Sequence, residues 1–277
     1  MSAQTDAWTG RARAWDRYES PYRPHRDDTA AVEREAAALA ARHGRLDAIM
    51  LGVTPQTAAC AWPPGTALAA FDSSRAMIDR LWPAPGTPEG ATAACADWRE
   101  LPVATRSADL VAADGSLICL SYPRGFSEVI EEVRRVLRPD GRFVVRTFLR
   151  PDPPESLGTI LADLDEGRIS GAFALKMRVA ATLHRPRVGI SRAGLREFWL
   201  SLFPDQEAGA RKFGWSFASF TMPHRDESDV FLYYPTLQEL RDVLASAFDE
   251  REISVGGYEL AERCPTLVLQ PRPMANA

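Results

Sequence analysis

Between Leu46 and Phe148 the sequence switches repeatedly between two kinds of apolar spacing, and that alternation restricts the folds open to the chain. Leu46–Leu51, Thr66–Phe71, Thr92–Ala96, Ala108–Ala113 and Arg142–Phe148 are short, strand-like runs dominated by apolar residues. A largely apolar run of that length fits a strand covered on both faces. Between the fourth and fifth runs, Phe126, Val129, Ile130, Val133, Val136 and Leu137 recur at the spacing of one helical face. Ser73 or Ser74 is placed to cap a shorter helix through Met77 and Leu81, and Pro139-Asp140-Gly141 predicts a turn. Strands and helices alternating this closely imply a parallel sheet with helices on both faces.

The flanking segments read differently. Trp8 to Asp28 is rich in aromatic residues, Arg and Pro, and feeds a helix from about Thr29 to His43, with Asp28 as cap and Gly44 as stop. Pro151–Phe231 breaks the strand–helix rhythm; it carries helix candidates at Arg168–Leu183 and Ser191–Phe203, and a stretch with Trp215, Phe217 and Phe220. The rhythm returns with a capped helix over Thr236–Phe248 and two closing strands at Glu252–Tyr258 and Thr266–Gln270. The predicted division is an N-terminal arm and helix (1–43), a core (44–150), a helical insertion (151–232) and a closing helix and strand pair (233–277). Ligands of such sheets bind outside the carboxyl ends of the strands, so an insertion after the fifth strand is placed to cover them.

Charge excludes some partners. With 33 basic against 37 acidic side chains, and a net charge of −4, no global positive field would hold nucleic acid. No basic and apolar leader opens the sequence and no apolar run has membrane-spanning length, so a cytoplasmic protein without a membrane partner is expected. The four cysteines, Cys60, Cys95, Cys119 and Cys264, lack metal-ligand spacing; buried, reduced thiols and no metal site are expected.

Three strand ends carry the chemistry. The first runs into Gly52-Val53-Thr54-Pro55, the second ends at Asp72-Ser73, twenty residues past Gly52, and the third at Asp97-Trp98. An acidic residue at that spacing is placed to accept hydrogen bonds from ribose hydroxyls. A carboxylate one strand over, Asp97, can reach an adenine amino group, with Trp98 beside the base. Adenosine suits these positions; a pyrophosphate does not, because Thr54, Pro55 and Gln56 stand where a phosphate loop needs glycines and Pro55 has no N–H. S-adenosylmethionine (SAM) has no pyrophosphate.

Leu51-Gly52-Val53-Thr54-Pro55, Phe71-Asp72-Ser73-Ser74-Arg75-Ala76-Met77-Ile78, Ala96-Asp97-Trp98 with Leu101-Pro102, Ser107-Ala108-Asp109-Leu110-Val111 and Glu132 to Phe143 follow one another in an order that resembles the class I SAM-dependent methyltransferases. The resemblance implies a Rossmann-like, doubly wound α/β fold with a seven-stranded, mostly parallel sheet. It implies that Asp72 holds the ribose, Asp97 the adenine and Gly52 the methionine end, with Asp114 at the mouth of the site. Two departures stand out: Met50 replaces the acid usual two positions before the first glycine, and the later loop glycines are missing. The expected cofactor contacts are Gly52, Thr54, Asp72, Ser73, Met77, Asp97, Trp98 and Asp114.

Plainer roles exist for the same residues. Asp72 can cap the following helix, and Asp114-Gly115 can be an ordinary turn. Asp114, His184 and His224 are the candidate catalytic residues, although both histidines also suit surface or capping positions. Arg185, Arg187 and Arg192 can meet a substrate carboxylate or simply be solvated. Trp8, Trp15, Tyr18 and Tyr22 read as packing anchors of the arm. The expected activity is methyl transfer to a small-molecule acceptor by a monomer or homodimer. Two alternatives use the same pocket: ring closure within SAM to an azetidine amino acid with release of methylthioadenosine, and SAM binding without catalysis.

Overall fold

The computed structural model describes residues 3–222 and 230–273. Helix α1 (Ala3–Ala14) passes through a 3-10 turn at Trp15–Arg17, and α2 (Arg26–His43) leads into the sheet. The core follows as β1 (Asp47–Leu51), α3 (Pro55–Ala58), β2 (Ala67–Asp72), α4 (Arg75–Leu81), β3 (Thr92–Cys95), β4 (Ala108–Asp114), α5 (Arg124–Val136) and β5 (Leu137–Arg146). The chain then leaves the core through α6 (Leu157–Asp165), α7 (Ala172–Thr182), β6 (Ile190–Ser191), α8 (Arg192–Leu202), α9 (Gln206–Phe213), α10 (Phe217–Phe220) and β7 (Phe231–Leu232). It returns as α11 (Leu237–Leu244), β8 (Phe248–Ser254) and β9 (Thr266–Pro271). Seven strands form one sheet in the order β3-β2-β1-β4-β5-β9-β8, and β9 alone runs against the others. This is the α/β, doubly wound sheet that the alternation implies.

Side-chain alternation divides the core cleanly. Ile49, Leu51, Val111, Ala113, Phe143 and Val145 face α5 and α11, while Ala48, Met50, Leu110, Ala112 and Val144 face α2 and α4. Because successive strand residues point to opposite faces, one continuous apolar run serves both layers. The strand order reverses between β1 and β4, so the crevice for a ligand opens above their carboxyl ends. Into that crevice turn the arm and the segment after β5: Tyr22 packs on both Phe148 and Phe173. No helix among the described residues is long and apolar enough to cross a membrane.

Several boundaries differ from expectation for local reasons. Helix α2 starts at Arg26, capped by His25, and Asp28 acts from inside the first turn, accepting from the His25 N–H at 2.7 Å. The Pro139-Asp140-Gly141 turn is absorbed into β5 as a register shift against β4, where a Cβ on Gly141 would sit 2.8 Å from the Asp109 carbonyl oxygen. The helix expected from Arg168 begins only at Ala172, because Gly167 adopts φ +71° and Gly171 caps the later start. Helix α11 ends at Leu244, and Phe248, buried in the core, opens β8. The cysteines were expected to be buried; Cys60 and Cys264 are, but Cys95 is exposed, since β3 is an edge strand.

At the opposite end of the sheet a charged knot ties α2 to three strands. His43 Nδ1 lies 2.7 Å from the buried Asp109 and Nε2 lies 2.8 Å from Asp140, while Asp109 also accepts from the Asp47 N–H at 2.8 Å. The two carboxylates raise the His43 pKa through their hydrogen bonds, Asp140 most. A raised folded pKa gives stability that is complete below the unfolded value, near 6.5, and is lost as pH rises through the folded one. His43→Ala is therefore expected to cost about 1–2 kcal/mol at pH 6 and clearly less at pH 9. Denaturant titrations at both pH values check this; a cost independent of pH would leave His43 as packing alone.

Candidate active site

Gly52 stands where the cleft is tightest. Its φ of +97° lies in the region that favours glycine, and a Cβ there would come within 3.8 Å of Asp72 Oδ2, Ser116 Oγ and Trp98 Cζ2. The loop beyond it is short: Pro55 occupies the first position of the single-turn α3, where its missing N–H costs nothing. Ser116 donates to the Leu51 carbonyl at 2.6 Å, and Trp98 Nε1 donates to the Phe71 carbonyl at 2.6 Å. These bonds fix the walls from the ends of β1 and β2.

Asp72, at the carboxyl end of β2, is 8% exposed. Its Oδ1 accepts from the Ser74 N–H at 2.8 Å, and Ser74 Oγ in turn caps α4 by accepting from Met77 N. The capping role and an open binding face therefore coexist, since Oδ2 points toward Gly52. Burial pushes the Asp72 pKa up to about 6, against the backbone N–H bonds of Ser74 and Val53.

Asp72, Ser73, Asp97 and Trp98 line one cleft of about 390 Å³, with Trp8 and Arg99 completing its rim. Asp97 is half exposed and gripped by Arg99, which holds its pKa below the usual carboxylate range. Gly52, Thr54, Met77 and Asp114 line the adjoining inner cavity, which Asp72 and Trp98 share. Thus every residue expected at the cofactor, Gly52, Thr54, Asp72, Ser73, Met77, Asp97, Trp98 and Asp114, faces one or other of two adjoining spaces.

Asp114, the last residue of β4, pairs in register with Arg146 on β5. Arg146 Nε lies 3.0 Å from Asp114 Oδ1 and 3.4 Å from Asp28 Oδ2, and the guanidinium donates to the Pro21 carbonyl at 3.0 and 2.8 Å. Thr54 Oγ1 reaches Asp114 Oδ2 at 3.5 Å. Burial raises the Asp114 pKa while Arg146 opposes the rise. Met50, which stands on β1 two positions before Gly52, is buried in the apolar layer against α2.

His184 lies elsewhere. His184 stacks edge-on against Tyr233, with ring centroids 4.6 Å apart, and lines neither space. Burial and Arg150 push its pKa down to about 4, so it is neutral, and its Nε2 has no partner. His224 lies outside the described residues. Arg185 and Arg187 are exposed. Among the described residues no cluster of three His, Cys, Asp or Glu side chains could hold a metal ion.

Sequence reasoning expected the N-terminal arm and the insertion to build the acceptor pocket, with Trp8, Trp15 and Tyr22 as packing anchors of the arm, but did not single out Arg11. Trp8, Arg11, Trp15 and Tyr22 all line the inner cavity, together with Cys119 and Phe148. Trp8, Arg11 and Trp15 fall at helical spacing on one face, a signal present in the sequence. Helix α1 rests on α4, and Asp16 and Arg80 join the two segments at 3.1 Å.

Residues 33–145 match the family of the methyltransferase domain. Over these residues the core is similar to a methyltransferase domain. Gly52, Asp72, Asp97, Trp98 and Asp114 lie within the matched span, while Trp8, Arg11, Trp15, Tyr22 and Phe148 lie outside it. No curated protein matches the chain. Among solved structures, a Rhodobacter sphaeroides protein named for the zinc-dependent alcohol dehydrogenases is 14% identical, with 98% of this chain and 100% of that one covered and a TM-score of 0.56. DhpI in complex with S-adenosylhomocysteine (SAH) is 14% identical, with 98% and 97% covered and a TM-score of 0.53. The N-methyltransferase NodS of Bradyrhizobium japonicum, also with SAH, is 12% identical, with 98% and 100% covered and a TM-score of 0.51. At these identities the likeness shows the fold alone.

Proposed function

We propose that this chain transfers the methyl group of SAM to a small-molecule acceptor. The carrying observation is the closure of the cleft: Trp8, Trp15 and Tyr22 from the arm and Phe148 after β5 wall the inner cavity, leaving little room for a macromolecule. In this reading Asp72 accepts from the ribose hydroxyls, Asp97 from the adenine amino group, and Trp98 and Met77 flank the base. Asp97 keeps lone pairs for that bond although Arg99 holds it. Gly52 and Thr54 border the methionine end, and Asp114 stands at its mouth. The fit is supported by Gly52, whose missing Cβ leaves space between Asp72, Ser116 and Trp98.

When bound, the cofactor supplies an activated methyl group on a sulfonium, and attack on it is an in-line displacement. What this chain's residues contribute is alignment and exclusion of water by the aromatic wall. Asp114 is committed to Arg146, and His184 lines neither space, so we assign proton removal to neither. An acceptor attacking as a neutral amine, a thiolate or a stabilised carbanion suits such a site.

The test is incubation of the purified protein with SAM and a panel of metabolites. SAH release that depends on an added acceptor is the expected result. Release of methylthioadenosine from SAM alone would point instead to ring closure within the cofactor, and binding without either product to a non-catalytic SAM protein.

A further inference from the structure

Among the described residues, the inner cavity is lined by one cation, Arg11, that is held in no ion pair. Arg11, on α1, holds its guanidinium between the rings of Trp8 and Tyr18, 5.4 Å from each centroid. Among the described residues it forms no ion pair and no hydrogen bond. A guanidinium offers five N–H donors in a planar fork, and its usual partner in a partly dry site is a carboxylate or phosphate. The rings leave the edge of the fork as its bonding surface.

The rest of the cavity narrows what that partner is. Arg11 shares it with Gly52, Thr54 and Asp114, the residues bordering the methionine end. Two acids, Asp72 and Asp114, also line it, and both sense the Arg11 charge, which lowers their pKa values. A dianionic ligand would meet those acids unfavourably. A zwitterion meets one sign on each side: its carboxylate toward Arg11, its ammonium toward Asp114. Met50 removes the acid that the strand end would otherwise supply, so the charges for a zwitterion must come from other elements.

We propose that Arg11 receives the α-carboxylate of SAM, so that the N-terminal helix forms part of the cofactor site. This rests on the cofactor reading above. The arm then binds the cofactor's charged end while its Trp8 also borders the adenosine cleft.

Decarboxylated SAM lacks only the carboxylate, and methylthioadenosine lacks the whole amino-acid part, so the two separate Arg11's roles. By calorimetry, the wild-type protein is expected to bind SAM about 10–100-fold more tightly than decarboxylated SAM, the scale of a charge-assisted bidentate pair. Arg11→Gln is expected to abolish that preference while leaving methylthioadenosine affinity unchanged. Arg11→Lys should restore part of the preference, because a point charge replaces the fork. Unchanged discrimination in Arg11→Gln overturns the proposal, as does equal weakening of all three ligands, which would make Arg11 a packing residue of the arm. If the wild-type protein binds neither SAM nor methylthioadenosine, the cofactor reading itself fails, an outcome distinct from both.

Discussion

Asp72→Asn is expected to weaken SAM binding by at least about 100-fold, from the loss of two hydrogen bonds to a charged acceptor at roughly 1.5–3 kcal/mol each. The substitution keeps an oxygen for the Ser74 N–H, so the start of α4 should survive, while the weakened Val53 N–H bond should show as a small loss of thermal stability. What it removes is the second accepting oxygen, Oδ2, which faces Gly52 and the cleft. Burial sets the sign of the pH dependence. With the Asp72 pKa pushed up to about 6, the unliganded wild-type protein gains a proton there as pH falls below that value. The carboxylate form accepts from both ribose hydroxyls, so affinity should fall about tenfold per unit below pH 6 and flatten above pH 7. The Asn variant, lacking the titrating group, should show no such slope. Calorimetric titrations with SAH from pH 5 to 8 measure both features. An Asn variant that binds as tightly as wild type would remove Asp72 from the ribose site.

The parts of the molecule readable from the sequence are those whose signal is local. Leu46–Leu51 and Ala108–Ala113 read as strands because each is apolar at all but one position and its apolar residues are covered on both faces. Asp72 follows Gly52 by one strand–helix–strand unit and Asp97 by two, and because β1, β2 and β3 are parallel neighbours, topology alone brings both to one cleft. The arm is different. Arg11 and Trp8 reach the cavity only because α1 packs on α4 and Arg146 holds Pro21, contacts between segments far apart in sequence. Asp28 resembles an ordinary helix cap and Arg146 an ordinary strand charge; nothing local says that they meet. Helix starts were misplaced where a glycine interrupted the apolar stripe, as at Gly167 and Gly171. The gathering of the strand-end residues at one cleft was thus largely legible, while its arm wall depended on tertiary packing.

Arg146 carries the largest expected effect on stability. Its side chain is 3% exposed and sits between two carboxylates, Asp114 at 3.0 Å and Asp28 at 3.4 Å. Asp28 is itself buried, accepting from the His25 N–H and from Tyr258 Oη at 2.9 Å. The Nε–Asp114 contact is poorly aligned as a hydrogen bond, so charge supplies most of the attraction there. Arg146→Met preserves much of the volume, and with it the contact on Phe148, but leaves two buried acids without their cation. Breaking a buried pair in this way costs roughly 3–5 kcal/mol, which lowers Tm by roughly 10 °C in a chain of this size. Burial already raises the Asp114 pKa and the guanidinium opposes that rise, so without it the Asp114 pKa climbs further above the unfolded value; the variant's deficit then grows above about pH 4 and shrinks as Asp114 takes up a proton. The stability gap between wild type and Arg146→Met should therefore be wider at pH 8 than at pH 5. A gap of equal size at both would mean that lost packing, not unpaired charge, is the cause. The same variant releases the Pro21 carbonyl, which the guanidinium holds with two bonds, and with it the turn that carries Tyr22 to the cavity wall. Arg146→Lys, which keeps the charge but not the fork, should recover stability more fully than it recovers SAM affinity.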